Sequence, residues 1–149
     1  MGDYLHTACL RVFAKGDEDF GKIRKRFLEF FPFGLDEEGI ELKEQTAIGF
    51  KERKIRILEA TLSKKRHLKM FIEHILNMLK GQKELLIRQK ESRLDEDLDF
   101  FIRFDKDRML ETGEYLITDS GNCFHLKLSI AAFPAKREIA LAIIDKIFK

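Results

Sequence analysis

At 149 residues the chain is long enough to bury a hydrophobic core of its own, without support from a metal ion or disulfides. A hydrophobic fraction of 44% beside a charged fraction of 36% predicts a globular protein with a heavily charged surface. Because no long uncharged apolar run and no signal peptide is present, we expect no membrane span and a cytoplasmic protein.

The net charge of +2 conceals an uneven distribution along the chain. Residues 50–93 carry 13 basic and 5 acidic side chains, a net charge of +8, whereas residues 1–49 and 94–149 each have a net charge of −3. A segment this basic is typical of proteins that bind polyanions, although many solvated helices have a similar charge.

The chain opens with a strand and a helix. The period-2 pattern of residues 4–15 predicts a half-buried strand. Its small and apolar side chains share one face: Ala8, Leu10, Val12 and Ala14. Its polar and aromatic side chains share the other: Cys9, Arg11, Phe13 and Lys15. A helix with a stripe of phenylalanines follows, opened by the acidic residues 17–19 and ended by Pro32.

The middle of the chain predicts a short or irregular edge strand, a more regular strand over residues 53–62, and a helix capped by Ser63. The first turns of this helix contain Lys64, Lys65 and Arg66. Cations at this end of a helix oppose its dipole, so an anion such as a phosphate bound there would explain them. Solvated side chains without a function explain them equally well.

The C-terminal third predicts most of the remaining sheet. After a short helix over residues 82–93, LDFFIRF predicts a strand, and helical turns over 105–112 stop at Gly113. EYLITD, the turn at 120–122 and CFHLKLSIA predict a β-hairpin, and Pro134 opens the last helix. This order predicts a single α+β domain over residues 1–149, with two layers and helices packed on one face of an antiparallel-rich sheet.

Two segments carry a family resemblance: FFIRFDKDRMLETGEYLI at 100–117 and FPAKREIALAIIDKI at 133–147. With them, the chain resembles a small archaeal family described as predicted exosome subunits or RNA-binding proteins. The resemblance implies a fold similar to that of the large-subunit ribosomal protein that binds 5S rRNA. One departure is TAIGFKER, which has Gly49 where such proteins often have a Gly-Asn turn.

One face of the predicted sheet combines cations with aromatic rings. Arg11, Arg53, Arg103, His125 and Lys127 share this face, with Phe13 and Phe101 as stacking platforms. Recognition of single-stranded RNA uses this combination, because cations contact the backbone and aromatic rings stack on bases. The alternatives are solvated charges, or aromatic rings covered by a partner; a register slip of one residue would swap the faces.

Lys136 and Arg137 lie near the start of the last helix, where their side chains and the backbone N–H groups could hold a phosphate. Alternatively, Arg137 pairs with Asp105, Asp107 or Glu111 in a structural clasp. The full set of RNA-binding candidates is Arg11, Arg53, Lys64, Lys65, Arg66, Arg103, Lys127, Lys136 and Arg137.

Catalysis has no support in the sequence. Asp105, Asp107 and Glu111 have carboxylates that could bind Mg²⁺, but the neighbouring Lys106 and Arg108 oppose a cation site. No nucleotide-binding loop or nucleophile–base motif is present, so we expect neither enzyme activity nor a cofactor or metal.

The sequence therefore favours a non-catalytic RNA-binding protein, an accessory factor or subunit in archaeal RNA processing. The alternative is a protein-interaction subunit of a larger complex with no direct RNA contact. The 14 phenylalanines, more than the predicted core stripes require, motivate that alternative.

Overall fold

The computed structural model describes residues 3–49, 51 and 53–149. Its strands are β1 (Leu5–Lys15), β2 (Lys43–Ile48), β3 (Lys54–Leu62), β4 (Asp99–Asp105) and β5 (Cys123–Ile130). Its helices are α1 (Phe20–Glu29), α2 (Lys65–Leu79), α3 (Lys83–Arg88), α4 (Lys90–Arg93), α5 (Lys106–Thr112) and α6 (Arg137–Phe148), with a 3₁₀ turn at Lys80–Gln82.

The five strands form one sheet in the order β2-β3-β1-β5-β4, in which every neighbouring pair is antiparallel. Helices α1, α2 and α6 pack on one face, and α4 and α5 lie along β4. The predicted two-layer α+β architecture is therefore confirmed. Among the described residues, no helix combines the length and apolarity needed to cross a bilayer.

The alternation predicted for β1 and β5 is confirmed by burial. The side chains that face the helices are almost fully buried in one hydrophobic core: Ala8, Leu10, Val12, Ala14, Phe124, Leu126, Leu128 and Ile130. The residues between them lie on the opposite face, which is called the open face from here on. Because the period of a strand is two, this pattern places Arg11, His125 and Lys127 together on the open face.

The predicted hairpin of EYLITD with β5 is wrong. Both edges of β5 are already occupied, by β1 on one side and β4 on the other. The segment around Leu116 lies instead along the free edge of β4. There the Asp105 N–H donates to the Leu116 carbonyl at 2.8 Å, and the Thr118 N–H donates to the Arg103 carbonyl at 2.9 Å.

Two helix starts differ from the sequence prediction. The residue before α2 is Lys64 rather than Ser63, and its side chain makes no capping hydrogen bond. Helix α6 begins at Arg137, three residues after Pro134. By contrast, Gly113 ends α5 as predicted, because it adopts the left-handed conformation with φ of 77°.

Candidate nucleic-acid interface

Three basic side chains form a row across the open face. The strand register places Arg11 of β1 opposite His125 of β5, and His125 opposite Arg103 of β4. Directly opposite residues have Cβ atoms about 4.5–5.5 Å apart, so these side chains are immediate neighbours. An anionic ligand over these side chains would offset the positive charges of Arg11 and Arg103, which lie on the two strands that flank β5. We call Arg11, His125 and Arg103 the basic row.

The electrostatics of His125 reflect its position between two arginines. Burial lowers the pKa of the imidazole below its usual value of 6.5, and the guanidinium groups of Arg103 and Arg11 lower it further. The imidazole is therefore mainly neutral at neutral pH. A phosphate bound to the arginines would offset their charge and favour protonation of His125.

Arg11 is held in place by a carboxylate on the next strand. Its Nε donates to Oε2 of Glu59 at 2.6 Å, and Glu59 lies directly opposite it on β3. The ion pair orients the guanidinium, while half of the side chain remains exposed. Glu59 also reduces the attraction of Arg11 for an anion, so we expect Arg103 to attract a phosphate group more strongly than Arg11 does.

A second row on the open face combines an aromatic ring with a cation. Phe101 lies opposite Lys127, and Lys127 lies opposite Cys9. Together with Arg11 and Phe13, these residues line a concavity of about 380 Å³. The structure thus brings Arg11, Phe13, Phe101, Arg103 and Lys127 together on one surface, as the sequence predicts.

Arg93 reinforces the positive charge at the edge of this surface, although the sequence gives no signal for it. Only 8% of the residue is exposed, and it donates to Oε1 of Gln89 and to the carbonyl of Phe101. Burial lowers the pKa of its guanidinium, Asp119 opposes that shift, and Arg103 adds to it. Arg93 also forms an ion pair with Asp119 at 3.5 Å, so the charge that it places beside Arg103 is partly compensated.

Three carboxylates border the concavity near Lys127. One oxygen from each of Asp95, Asp97 and Asp99 lies within 4.8 Å of the others. Two of these side chains shape the loop, because Asp95 accepts the N–H of Asp97 and Asp99, and Asp99 accepts the Ser129 hydroxyl at 2.6 Å. We call these three residues the acidic rim. It opposes the approach of a polyanion from this side.

The cations at the start of α2 lie away from the basic row, because α2 packs on the opposite face of the sheet. Lys65 forms an ion pair with Asp3 at 3.2 Å, and Arg66 forms one with Glu38 at 2.8 Å. We call Lys64, Lys65 and Arg66 the helix-side cluster. Two of its three charges already have acidic partners in the fold.

Arg137 joins two helices. Its guanidinium donates to the carbonyl of Leu94 at 3.0 Å and to the carbonyl of Glu91, so it satisfies acceptors at the C-terminal end of α4. The predicted clasp of Arg137 with Asp105, Asp107 or Glu111 is therefore wrong in its partner. Lys136 precedes the first residue of α6, and its carbonyl accepts from Ile139 and Ala140.

The residues of the motif Arg103-Phe104-Asp105-Lys106 have different roles: some stabilise the fold, and Arg103 lies on the open face. Phe104 is fully buried, and Asp105 caps α5 by accepting the Arg108 N–H at 2.9 Å. The Lys106 side chain is buried and donates from Nζ to the Phe13 carbonyl at 2.6 Å and to the Glu18 carboxylate at 3.1 Å. Arg103 is the cation that this motif contributes to the open face, and Asp105 has the same parity two residues further along β4.

Arg53 lies before the first residue of β3, close to the end of β1. Together with Lys15 and Lys54 it lines a cleft of about 680 Å³. Its parity along the strand is that of the open face, whereas Arg56 lies on the other face and stacks on Phe20 at 4.5 Å. Arg53 therefore extends the positive surface beyond the basic row.

Comparison with known proteins relates most of this chain to an RNA-binding family. A family model described as RNA binding matches residues 8–130. An RNA-binding protein of Pyrococcus abyssi is 26% identical over 134 residues, which cover 89% of this chain and 86% of that protein.

Solved structures match over nearly the whole chain. A DUF54 protein from Archaeoglobus fulgidus superimposes with a TM-score of 0.85 at 26% identity, covering 96% of this chain and 99% of that one. A DUF54 protein from Methanothermobacter thermautotrophicus gives 0.77 at 29% identity, covering 99% and 100%. The fold described above is thus shared with archaeal proteins.

Proposed function

Because this chain belongs to the RNA-binding family, we propose that it is a non-catalytic RNA-binding protein whose open face contacts RNA directly. The observation that carries the proposal is the basic row, in which three basic side chains lie side by side across β1, β5 and β4. The two guanidinium groups of this row lie on either side of a largely neutral imidazole, so a phosphate group placed over His125 would lie between two cations. Phe13 and Phe101 flank the row and offer rings for bases.

The direct test is fluorescence anisotropy of labelled RNA at low salt. We expect a complex at micromolar protein whose affinity falls as salt is raised, with a log–log slope of about −0.7 for each phosphate neutralised on a single strand. Absence of any complex at tens of micromolar protein would overturn the proposal.

A matched pair of variants locates the surface. Arg103→Glu reverses a charge in the basic row, and Lys25→Glu makes the same change on the exposed surface of α1. We expect the first to weaken RNA binding at least about tenfold and the second to change it less than about threefold. Equal effects would mean that net charge, rather than the open face, governs binding.

We further propose that the protein works in archaeal RNA processing as an accessory factor or subunit associated with the exosome, in the cytoplasm. The family resemblance described above motivates this role, and the archaeal RNA-binding relative supports its RNA-binding part. We also propose that the fold is related to that of the ribosomal protein that binds 5S rRNA, a relation that superposition of the two structures would test.

A protein-interaction subunit is the second candidate, favoured by two exposed apolar side chains. Phe133 is 77% exposed and Ile48 is 76% exposed, and both lie outside the basic row. Affinity capture from an archaeal lysate, with and without nuclease, separates the candidates. Partners that survive nuclease and are lost with Phe133→Ser would favour the protein interface, and partners that vanish with nuclease would favour RNA.

A further inference from the structure

We infer that the RNA bound by the open face is single-stranded and passes along β1, with one base stacked on Phe13 between two groups of cations. This inference rests on the proposed function and specifies its substrate class. The juxtaposition that carries it is an exposed aromatic ring with a cation two residues away on either side of the same strand.

Phe13 is a large aromatic side chain on the open face of the sheet. Its neighbours Val12 and Ala14 are buried in the core, whereas 40% of Phe13 is exposed on the open face. Ile57 lies opposite it on β3 and gives the ring an apolar neighbour. The Phe13 carbonyl accepts a hydrogen bond from the buried Lys106, so the backbone beneath the ring is fixed. The ring is therefore a preorganised platform rather than part of the core.

Cations flank the ring along the strand. Arg11 and Lys15 project from the same face as Phe13, each about 6.5 Å away along β1. Beyond Arg11 the basic row continues to Arg103, and beside Lys15 lies Arg53. An alternation of cation, ring and cation along one line matches a single strand, whose phosphates and unstacked bases also alternate.

Two clefts lie on either side of this ring. The one lined by Lys15 and Arg53 has a volume of about 680 Å³, and the one lined by Arg11 and Lys127 has about 380 Å³. Both volumes are within the range of about 300–1,000 Å³ that is typical of ligand clefts, so each can hold a nucleotide. The acidic rim borders the second cleft and opposes a polyanion on that side.

A duplex cannot use this arrangement. Its bases are stacked on each other and paired inside the helix, so no base face is available to Phe13. A duplex would contact only the cations, and its affinity would be indifferent to the aromatic ring. Phe13 therefore distinguishes the two classes of RNA.

The experiment compares single-stranded and duplex RNA of the same sequence by anisotropy, on the wild type, Phe13→Leu and Phe133→Leu. Phe133 is the matched control, since it is an exposed phenylalanine beyond the end of β5. We expect Phe13→Leu to weaken single-strand binding at least about fivefold, because a nucleobase loses the aromatic ring on which it stacks. Binding of the duplex should be unchanged. Phe133→Leu should change neither.

A base analogue gives a second readout on the wild-type protein. The fluorescence of 2-aminopurine in the single strand should be quenched on binding, and the quenching should be lost with Phe13→Leu. Tighter binding of the duplex with no effect of Phe13→Leu would overturn the single-strand inference while RNA binding stands. Failure of every RNA to bind would overturn the proposed function together with this inference.

Discussion

The basic row and the helix-side cluster contain the same kinds of side chain in different surroundings. In the helix-side cluster, Lys65 and Arg66 each have a carboxylate partner within 3.2 Å, and the helix beneath them is packed on the core. In the basic row, three basic side chains lie next to each other on three strands, and one of them, Arg11, is paired with Glu59. The charges of the first region lie on the helix side of the sheet beside carboxylates, whereas in the second Arg103 and the paired Arg11 flank a largely neutral imidazole on the open face.

This difference shows that charge density along the chain is a poor guide to charge density on the surface. Residues 50–93 carry a net charge of +8, but their cations are distributed over β3 and four helical segments. The basic row is built from β1, β4 and β5, which lie outside that segment. An antiparallel sheet brings together isolated cations that are about a hundred residues apart.

Removal of charge from both regions provides the strongest test of the comparison. Arg11→Gln with Arg103→Gln should weaken RNA binding roughly a hundredfold, because two charge-assisted hydrogen bonds to phosphate are lost. Lys64→Gln with Lys65→Gln removes the same charge and should change affinity less than about threefold. Anisotropy at several salt concentrations should show the salt slope falling by about 1.4 for the first pair only. The reverse order of effects would place the interface on α2.

Lys106 is a buried cation that stabilises the fold, in contrast to the cations of the basic row, which lie on the open face. Lys106→Met should lower the free energy of unfolding by about 2 kcal/mol, because it leaves the Glu18 carboxylate and the Phe13 carbonyl without their buried partner. Lys22→Met, on the exposed surface of α1, should change it by less than about 0.5 kcal/mol. Denaturant unfolding measures both. A large loss of RNA affinity in folded Lys106→Met without loss of stability would contradict the assignment.

Periodicity in the sequence was sufficient to predict the two faces of the central strands. Alternation along β1 and β5 depends only on the side-chain period of two, so Leu10 and Leu126 are buried and Arg11 and His125 are not. The partner of a strand is a different question. The segment around Leu116 has strand-like residues, but nothing local indicates that both edges of β5 are occupied.

The candidate site could be predicted as a set of residues but not as an arrangement. Parity predicts one face for Arg11, Arg103 and His125, whereas the position of each arginine directly opposite His125 depends on which strands pair. Arg93 had no signal at all, since its burial results from contacts with Gln89 and β4. Tertiary register therefore decides which cations become neighbours.

His125 offers a test of the electrostatic surroundings within the basic row, where burial and then the two arginines lower its pKa. Its pKa is lowered in the folded protein, so the unfolded chain takes up a proton at higher pH than the folded one. The contribution of His125 to stability is therefore present above its unfolded pKa of about 6.5 and is lost as pH falls toward its folded pKa. Thermal unfolding from about pH 7.5 to about pH 5.5 should show a steeper loss in the wild type than in His125→Gln. Identical pH dependence would mean that neither burial nor the two arginines lowers the pKa of the imidazole in the folded protein.

The smallest effect is expected at the acidic rim, where the comparison predicts a gain instead of a loss. Asp97 is exposed beside the concavity, and its carboxylate repels a phosphate approaching Lys127. Asp97→Asn should strengthen RNA binding about two- to threefold at low salt, and the gain should disappear at high salt because exposed charges are screened. The control is Asp36→Asn, in the loop after α1, which lies outside both clefts and should have no effect. Asp17 is not a suitable control, because it lines the other cleft. If Asp97→Asn leaves affinity unchanged while Arg103→Glu abolishes it, the RNA path ends at the basic row and does not reach Lys127.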